Sequence, residues 1–189
     1  MAKRVLACLV LLIVVGAVPA WAADADDQGF VPLFPKDGVP TGWTVRQWDD
    51  LTKKVTAAPW TVRDGVLHSG RHRGTWLMSD REYHDFILEF EIKLTARGNS
   101  GVALRAPMRG DPAFDGMELQ IADVRYNPEA KPSELTAAIY RAIAPSKQVY
   151  KPTAWNRFHI ELRGTHLKVT LNDQAIQNID LREYEQHPK

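Results

Sequence analysis

Asp85-Phe86-Ile87-Leu88-Glu89-Phe90-Glu91-Ile92-Lys93-Leu94-Thr95 is the stretch that decides the fold class. Phe86, Leu88, Phe90, Ile92 and Leu94 fall on one face of an extended chain, and Ile87, Glu89, Glu91 and Lys93 fall on the other. A period of two over this length specifies a β-strand with one apolar face. The same alternation recurs downstream. Met117, Leu119 and Ile121 oppose Glu118, Gln120 and Ala122. Phe158, Ile160 and Leu162 oppose Arg157, His159 and Glu161, and Leu167, Val169 and Leu171 continue after Gly164. Asn172-Asp173 is hairpin-turn chemistry leading into 174–181. Residues 97–101 form a turn ahead of a strand over 102–105, and weaker strands fall at 30–34, 44–48, 66–69 and 75–78. Over 135–143 the alanines suit a helix, but Ile139 and Tyr140 after a Pro-rich loop favour a strand. Many short alternating strands separated by Gly, Pro, Asn and Asp predict an all-β sandwich of two packed antiparallel sheets in jelly-roll form.

The start of the chain has a different character. Lys3 and Arg4 precede an uncharged apolar run from Val5 to Val18, and Pro19-Ala20-Trp21-Ala22 supplies small residues at cleavage spacing. This is the pattern of a secretory signal peptide over 1–23, cut after Ala22 or Ala23, and it predicts a periplasmic or secreted protein. The run is too short for a membrane span, so no membrane anchor is expected. A polar, disordered leader at 24–29 then leads into one domain at 30–189. Cys8, the only cysteine, leaves with the signal, which excludes disulfides and thiolate metal sites from the mature domain. It lies too early for lipidation. The chain carries 24 Lys+Arg against 23 Asp+Glu, with no basic stripe, so nucleic acid is not an expected partner.

Candidate chemistry sits on the polar faces of two strands. Gly101, Ala103 and Arg105 share one such face, and Glu118, Gln120 and Ala122 another. Small residues give a ligand room to approach, while the guanidinium, carboxylate and amide suit hydroxyls and carbonyls. The same composition also describes an ordinary solvated sheet face with an Arg–Glu pair. Asn99 and Ser100 either present polar groups to a ligand or, with Gly101, serve only as turn residues. Among Trp43, Trp48, Trp60, Trp76 and Trp155, one or two are expected to form a sugar-stacking platform, with Trp76 the candidate, while most are core and Trp155, just before a strand, is structural. His159 lies on a polar strand face, as either an acid/base or a surface histidine. His68 and His72 are four apart but not on a helix, which gives no zinc-site spacing. Neither a serine nucleophile elbow nor a pair of glycosidase carboxylates at fixed spacing is visible.

Taken in order, several segments resemble one family. These are Gly29-Phe30-Val31-Pro32-Leu33-Phe34, Gly42-Trp43, Trp60-Thr61-Val62-Arg63-Asp64-Gly65, Asp80-Arg81-Glu82-Tyr83-His84-Asp85, Gly98-Asn99-Ser100-Gly101, Gly116-Met117-Glu118-Leu119-Gln120-Ile121, Trp155-Asn156 and Leu171-Asn172. The ordered set is similar to the 3-keto-disaccharide hydrolase domain. The resemblance implies a concanavalin-like jelly roll, an exported protein of carbohydrate metabolism, and 3-keto-glycosides as substrates. A ketone at C3 acidifies the proton on C2. A base removes it, the C1 substituent leaves, and water adds afterwards to give net hydrolysis.

On this basis Glu118 is the expected acid/base or metal-binding carboxylate, and Arg105 stabilises oxyanion charge. Asn99, Ser100 and Gln120 orient hydroxyls, and Tyr140 and His159 are candidates to protonate the leaving group. Glu118 and Asp123 are the expected oxygen ligands of a divalent cation. The alternative is a non-catalytic carbohydrate-binding module on the same fold. The chain departs from the family at Ala137-Ala138-Ile139-Tyr140-Arg141, where glycines are usual on both sides of the Ala-x-Tyr segment. It also stops at Lys189, before the family's closing strands, so relative to the family the domain is expected to be either a C-terminally truncated sequence or a sheet with an open edge.

Overall fold

The structure, a computed structural model, describes residues 3–6, 29–56, 60–69 and 74–184. The expected cleavage site and polar leader lie outside the described residues, apart from Gly29.

Thirteen strands are formed among the described residues: β1 (Lys3–Leu6), β2 (Phe30–Pro32), β3 (Trp43–Gln47), β4 (Asp50–Lys54), β5 (Thr61–Arg63), β6 (Val66–His68), β7 (Thr75–Ser79), β8 (Phe86–Ile92), β9 (Asn99–Leu104), β10 (Met117–Ala122), β11 (Asn156–Arg163), β12 (His166–Leu171) and β13 (Gln174–Asp180). The largest sheet runs β13-β12-β11-β8-β1-β2; β10 pairs with β9, β3 lies between β4 and β7, and β5-β6 is a hairpin. Pairing is antiparallel except at β1, which runs parallel to both β2 and β8.

Alternation does what the sequence requires of it. Along β11 every second residue is buried, and β12 follows the same rhythm. Phe90 lies opposite Phe158 in register, and their rings stack with centroids 5.0 Å apart. These residues, with Ile160, Leu162, Leu167, Val169, Leu171 and Ile176, meet Leu104, Leu119 and Ile121 from β9 and β10 in one apolar core. The fold is therefore an all-β sandwich, with the large sheet on one side of the core and β9-β10 on the other. Asn172 and Asp173 both have positive φ, as a tight two-residue hairpin turn between β12 and β13 requires.

Three local differences from the sequence reading bear on function. The turn after β8 is centred on Ala96 and Arg97 and closed by Gly98 N donating to Thr95 O at 2.9 Å, so Asn99, Ser100 and Gly101 already belong to β9. A short helix, α1 (Pro112–Asp115), capped by the Asp111 carboxylate on Ala113 N, precedes β10. The segment expected as a strand over 135–143 is instead a run of turns. It still covers the free edge of β10: Gln120 N donates to Ala138 O, Ala137 N to Gln120 O and Tyr140 N to Glu118 O. Buried Thr136 secures it further, because its hydroxyl donates to Ala122 O at 2.6 Å and accepts from Ala122 N at 2.9 Å.

Candidate active site

β10 is buried on both of its faces. Leu119 and Ile121 enter the core, so Glu118, Gln120 and Ala122 point the opposite way. Glu118 is only 8% exposed and Gln120 5%. Keeping a carboxylate so far from water needs a built environment. Gly101, paired with Gln120 across β9, supplies the space. A Cβ there would stand 2.0 Å from Glu118 Oε1 and 2.7 Å from its Cδ and Cγ. Gly101 does not have a positive φ, so glycine is needed for close approach, not for turn geometry. The small residue that the sequence suggested was leaving room for a ligand leaves room for the carboxylate itself.

Gln120 lines a hollow of about 440 Å³ with Ala122, Asp123, Tyr126, Leu135, Tyr140 and Arg141 among its other walls. The Gln120 amide oxygen accepts from Ile121 N at 3.0 Å, which leaves its amide nitrogen for the hollow. Tyr140 hangs over the same space from the segment bonded to Glu118. Burial raises the Tyr140 hydroxyl above the ordinary tyrosine value; the guanidinium of Arg141 opposes this, and the charges of Glu134 and Glu118 add to it. The hollow thus holds a protonated phenol and an amide donor, and Glu118 lies beside it, on the same face of β10 as Gln120 but not among the residues that line it. Such a set can remove a proton, deliver one, and stabilise charge on an oxygen.

Other expected residues are placed elsewhere. Arg105 has φ of 50°, which breaks the alternation of β9. Its Nη2 donates to His84 O at 2.8 Å and to Asp85 Oδ1 at 3.3 Å, and Asp85 also accepts from Gly164 N. Arg105 therefore clamps the start of β8 to the β11-β12 turn and does not join Glu118 and Gln120. Ser100 is in register with Ile121, on the core-facing side. Asn99 is opposite Ala122 and does share the Gln120 face, at its exposed end. His159 projects from the outer face of the large sheet, across the core from Glu118, with Nδ1 2.7 Å from Glu89 Oε1. Trp76, on β7 of the three-stranded sheet opposite Arg46, lies outside the hollow's lining.

The expected metal pair does not fit a cation. Both carboxylate oxygens of Asp123, a residue 1% exposed, are taken by Arg125, at 2.7 Å to Nε and 2.8 Å to Nη2. This bond to Arg125 holds the Asp123 carboxyl far below the usual carboxylate range. Among the described residues no three His, Cys, Asp or Glu side chains are grouped to hold a metal ion. A second hollow, on the outer face of the large sheet, is lined by Glu161, Arg163, His166, Lys168 and Asn178. Its polar groups satisfy one another, with Arg163 and Lys168 on Glu161 and His166 on Asn178, so it has no comparable claim.

Sequence reasoning did not find Glu134 and Arg141 in the wall of the first hollow, nor Phe114, which meets Tyr140 and Arg141 from outside its lining. The Arg141 guanidinium lies 5.5 Å from the Phe114 ring centroid and 5.2 Å from that of Tyr140, and Nε donates to Glu134 Oε1 at 2.9 Å. The visible trace was Arg141 itself, at a position where the family favours glycine.

The sequence profile of the 3-keto-alpha-glucoside-1,2-lyase-like domain matches residues 29–188. The chain belongs to this family. Three solved structures from Parabacteroides distasonis, each described as a candidate glycosyl hydrolase, share its fold. The first is 30% identical with a TM-score of 0.60, over 67% of this chain and 65% of that one. The second is 22% identical with a TM-score of 0.59, over 76% and 70%. The third is 22% identical with a TM-score of 0.55, over 74% and 61%. The chain thus spans about 65% of the length of the first of these structures. Among curated proteins none matches. No helix of the described residues is long and apolar enough to cross a membrane.

Proposed function

We propose that this family member cleaves 3-keto-glycosides by removing the C2 proton, with Glu118 as the base. The single observation that carries the reading is the placement of Glu118: a carboxylate 8% exposed, seated in the space that Gly101 leaves, on the face from which Gln120 enters the hollow beneath Tyr140. The C2–H electron pair becomes the C1–C2 double bond, and the C1–O bond breaks. The proton passes to Glu118, and the departing oxygen takes one from Tyr140. The amide nitrogen of Gln120 hydrogen-bonds the C3 oxygen, which carries the charge as the C2–H bond opens. The first product is an enone, and addition of water to it gives net hydrolysis.

This chemistry needs one carboxylate of restricted mobility and one acid that stays protonated at neutral pH. That fits a site with a single buried Glu and a Tyr whose pKa is raised. It does not call for the paired carboxylates of ordinary glycoside hydrolysis. Export belongs to the same proposal: a basic start, an apolar run and a small-residue site at Ala20 and Ala22 support removal of residues 1–23, which would take β1 out from between β8 and β2 and leave the β8 edge of the large sheet open. Mass spectrometry of protein expressed with its leader tests this, with a chain beginning at Ala23 or Asp24 expected and an uncut chain counting against it.

The activity test uses a chromogenic 3-keto-glucoside with the native protein and with Glu118→Gln. Native turnover with a transient ultraviolet-absorbing enone, and loss of both in the variant, supports the proposal. Binding without turnover would instead make the domain a carbohydrate-binding module. Full turnover by a folded Glu118→Gln protein removes Glu118 from the scheme.

A further inference from the structure

Arg141 follows Tyr140 at the mouth of the hollow with φ of 59°. A non-glycine residue holds this left-handed conformation only where its surroundings impose it, whereas glycine takes it freely. The surroundings are evident here. Arg141 N donates to Ser133 O at 2.8 Å and Nε to Glu134 Oε1 at 2.9 Å, and the guanidinium lies over both Phe114 and Tyr140. The two rings meet edge to face with centroids 6.0 Å apart. Despite these contacts the Phe114 residue, on α1, stays 47% exposed. A strained backbone thus holds a cation against an open phenyl ring, next to the residue proposed as the acid.

A glycosidic bond has two sides. With the keto-sugar in the hollow, the leaving group must lie beside the group that protonates it, and the neighbours of Tyr140 there are Phe114 and Arg141. Resting on the proposed function, we infer that Phe114 and Arg141 form the leaving-group platform and select aromatic aglycones over a second sugar. Phe114 has no polar atom, and Arg141 Nε is already committed to Glu134. A sugar placed there would lose hydration from several hydroxyls and find few partners. A flat aromatic ring would give up only apolar surface, stack on Phe114 and meet the guanidinium.

The test is calorimetric binding of phenyl α-glucoside and methyl α-glucoside. Neither has a C3 ketone, so neither can eliminate, and the measurement is independent of turnover. The native protein is expected to bind the phenyl compound about 2- to 10-fold more tightly, the range of one aromatic pair. Phe114→Ala and Arg141→Gly are expected to bring that ratio to about 1. Arg141→Gly should do so while holding its thermal midpoint within a few degrees, because glycine accepts the positive φ. A phenyl preference that survives Phe114→Ala, equal binding of the two glucosides, or no binding of the phenyl compound by the native protein overturns the platform. A phenyl preference that is lost in the variants, in a protein that never turns over a 3-keto-glucoside, upholds the platform and sinks the enzymatic reading. Turnover with equal binding does the reverse.

Discussion

Replacing Gly101 by alanine isolates the placement of Glu118 from its chemistry. The new Cβ would lie 2.0 Å from Glu118 Oε1 and 2.7 Å from Cδ and Cγ. Ordinary contact needs roughly 3.4 Å or more, so the carboxylate must retreat by over ~1 Å, about the displacement that costs 10²-fold in a positioned reaction. The fold should tolerate the change. Gly101 is outside the left-handed region, so alanine there gains roughly 0.4–1 kcal/mol by restricting the unfolded chain. Pushing Glu118 off its rotamer costs about 0.5–1.5 kcal/mol. The two effects nearly cancel, and the thermal midpoint should move by no more than about 4 °C. The assay is the initial rate with a 3-keto-glucoside, alongside a thermal melt. The expected result is about a hundredfold loss of kcat in a protein that melts normally, with Gly101→Ala/Glu118→Gln no worse than Glu118→Gln alone. A folded Gly101→Ala protein with native kcat refutes the reasoning, because Glu118 would then be displaced at no cost to the reaction.

Other outcomes follow from the same geometry. Tyr140 is held protonated by burial, so on the alkaline side the native rate should fall only at pH above the ordinary tyrosine value; Tyr140→Phe should slow turnover and abolish that alkaline limb in a pH–rate profile while leaving the acid limb set by Glu118. Thr136→Val leaves the N–H and C=O of Ala122 without their partner, costing ~2 kcal/mol and about 4–8 °C in a melt. His159→Ala should leave kcat within about twofold, because His159 is paired with Glu89 on the opposite side of the core; a hundredfold loss would put the active site on the wrong face. The Asp123 pKa is depressed by Arg125, so its contribution to stability is complete above roughly pH 4, the unfolded carboxylate value, and is lost as pH falls towards the folded one. Arg125→Ala should therefore lower stability at pH 7 and flatten its decline in acid, as followed by denaturant titration.

The legible parts of this molecule are those fixed by local periodicity. Alternation in 85–95 gives β8, and alternation in 116–122 gives β10 with Glu118 and Gln120 on the face away from the core. Strand β4 was missed because Asp50-Leu51-Thr52-Lys53-Lys54 buries a single residue, Leu51, and has no apolar rhythm. Arg105 was misplaced because alternation presumes negative φ, and its φ of 50° turns the side chain towards His84 and Asp85. Ser100 was misplaced with it, because the turn was drawn too long and hid a strand whose pairing sends Ser100 to the core side. The rim of Phe114, Glu134 and Arg141 could not be found by spacing. These residues come from a short helix, a one-turn helix at Pro132–Glu134 and an irregular segment, and only the tertiary fold brings them together.

The most direct test of Glu118 as the base follows the C2 proton itself. A 3-keto-glucoside is converted in deuterium oxide and the released sugar is read by NMR. The account predicts that the native protein yields either the enone or a keto-sugar carrying deuterium at C2, and that Glu118→Gln yields neither. Released keto-sugar that keeps its original C2 hydrogen would mean direct displacement at C1, and would contradict the mechanism.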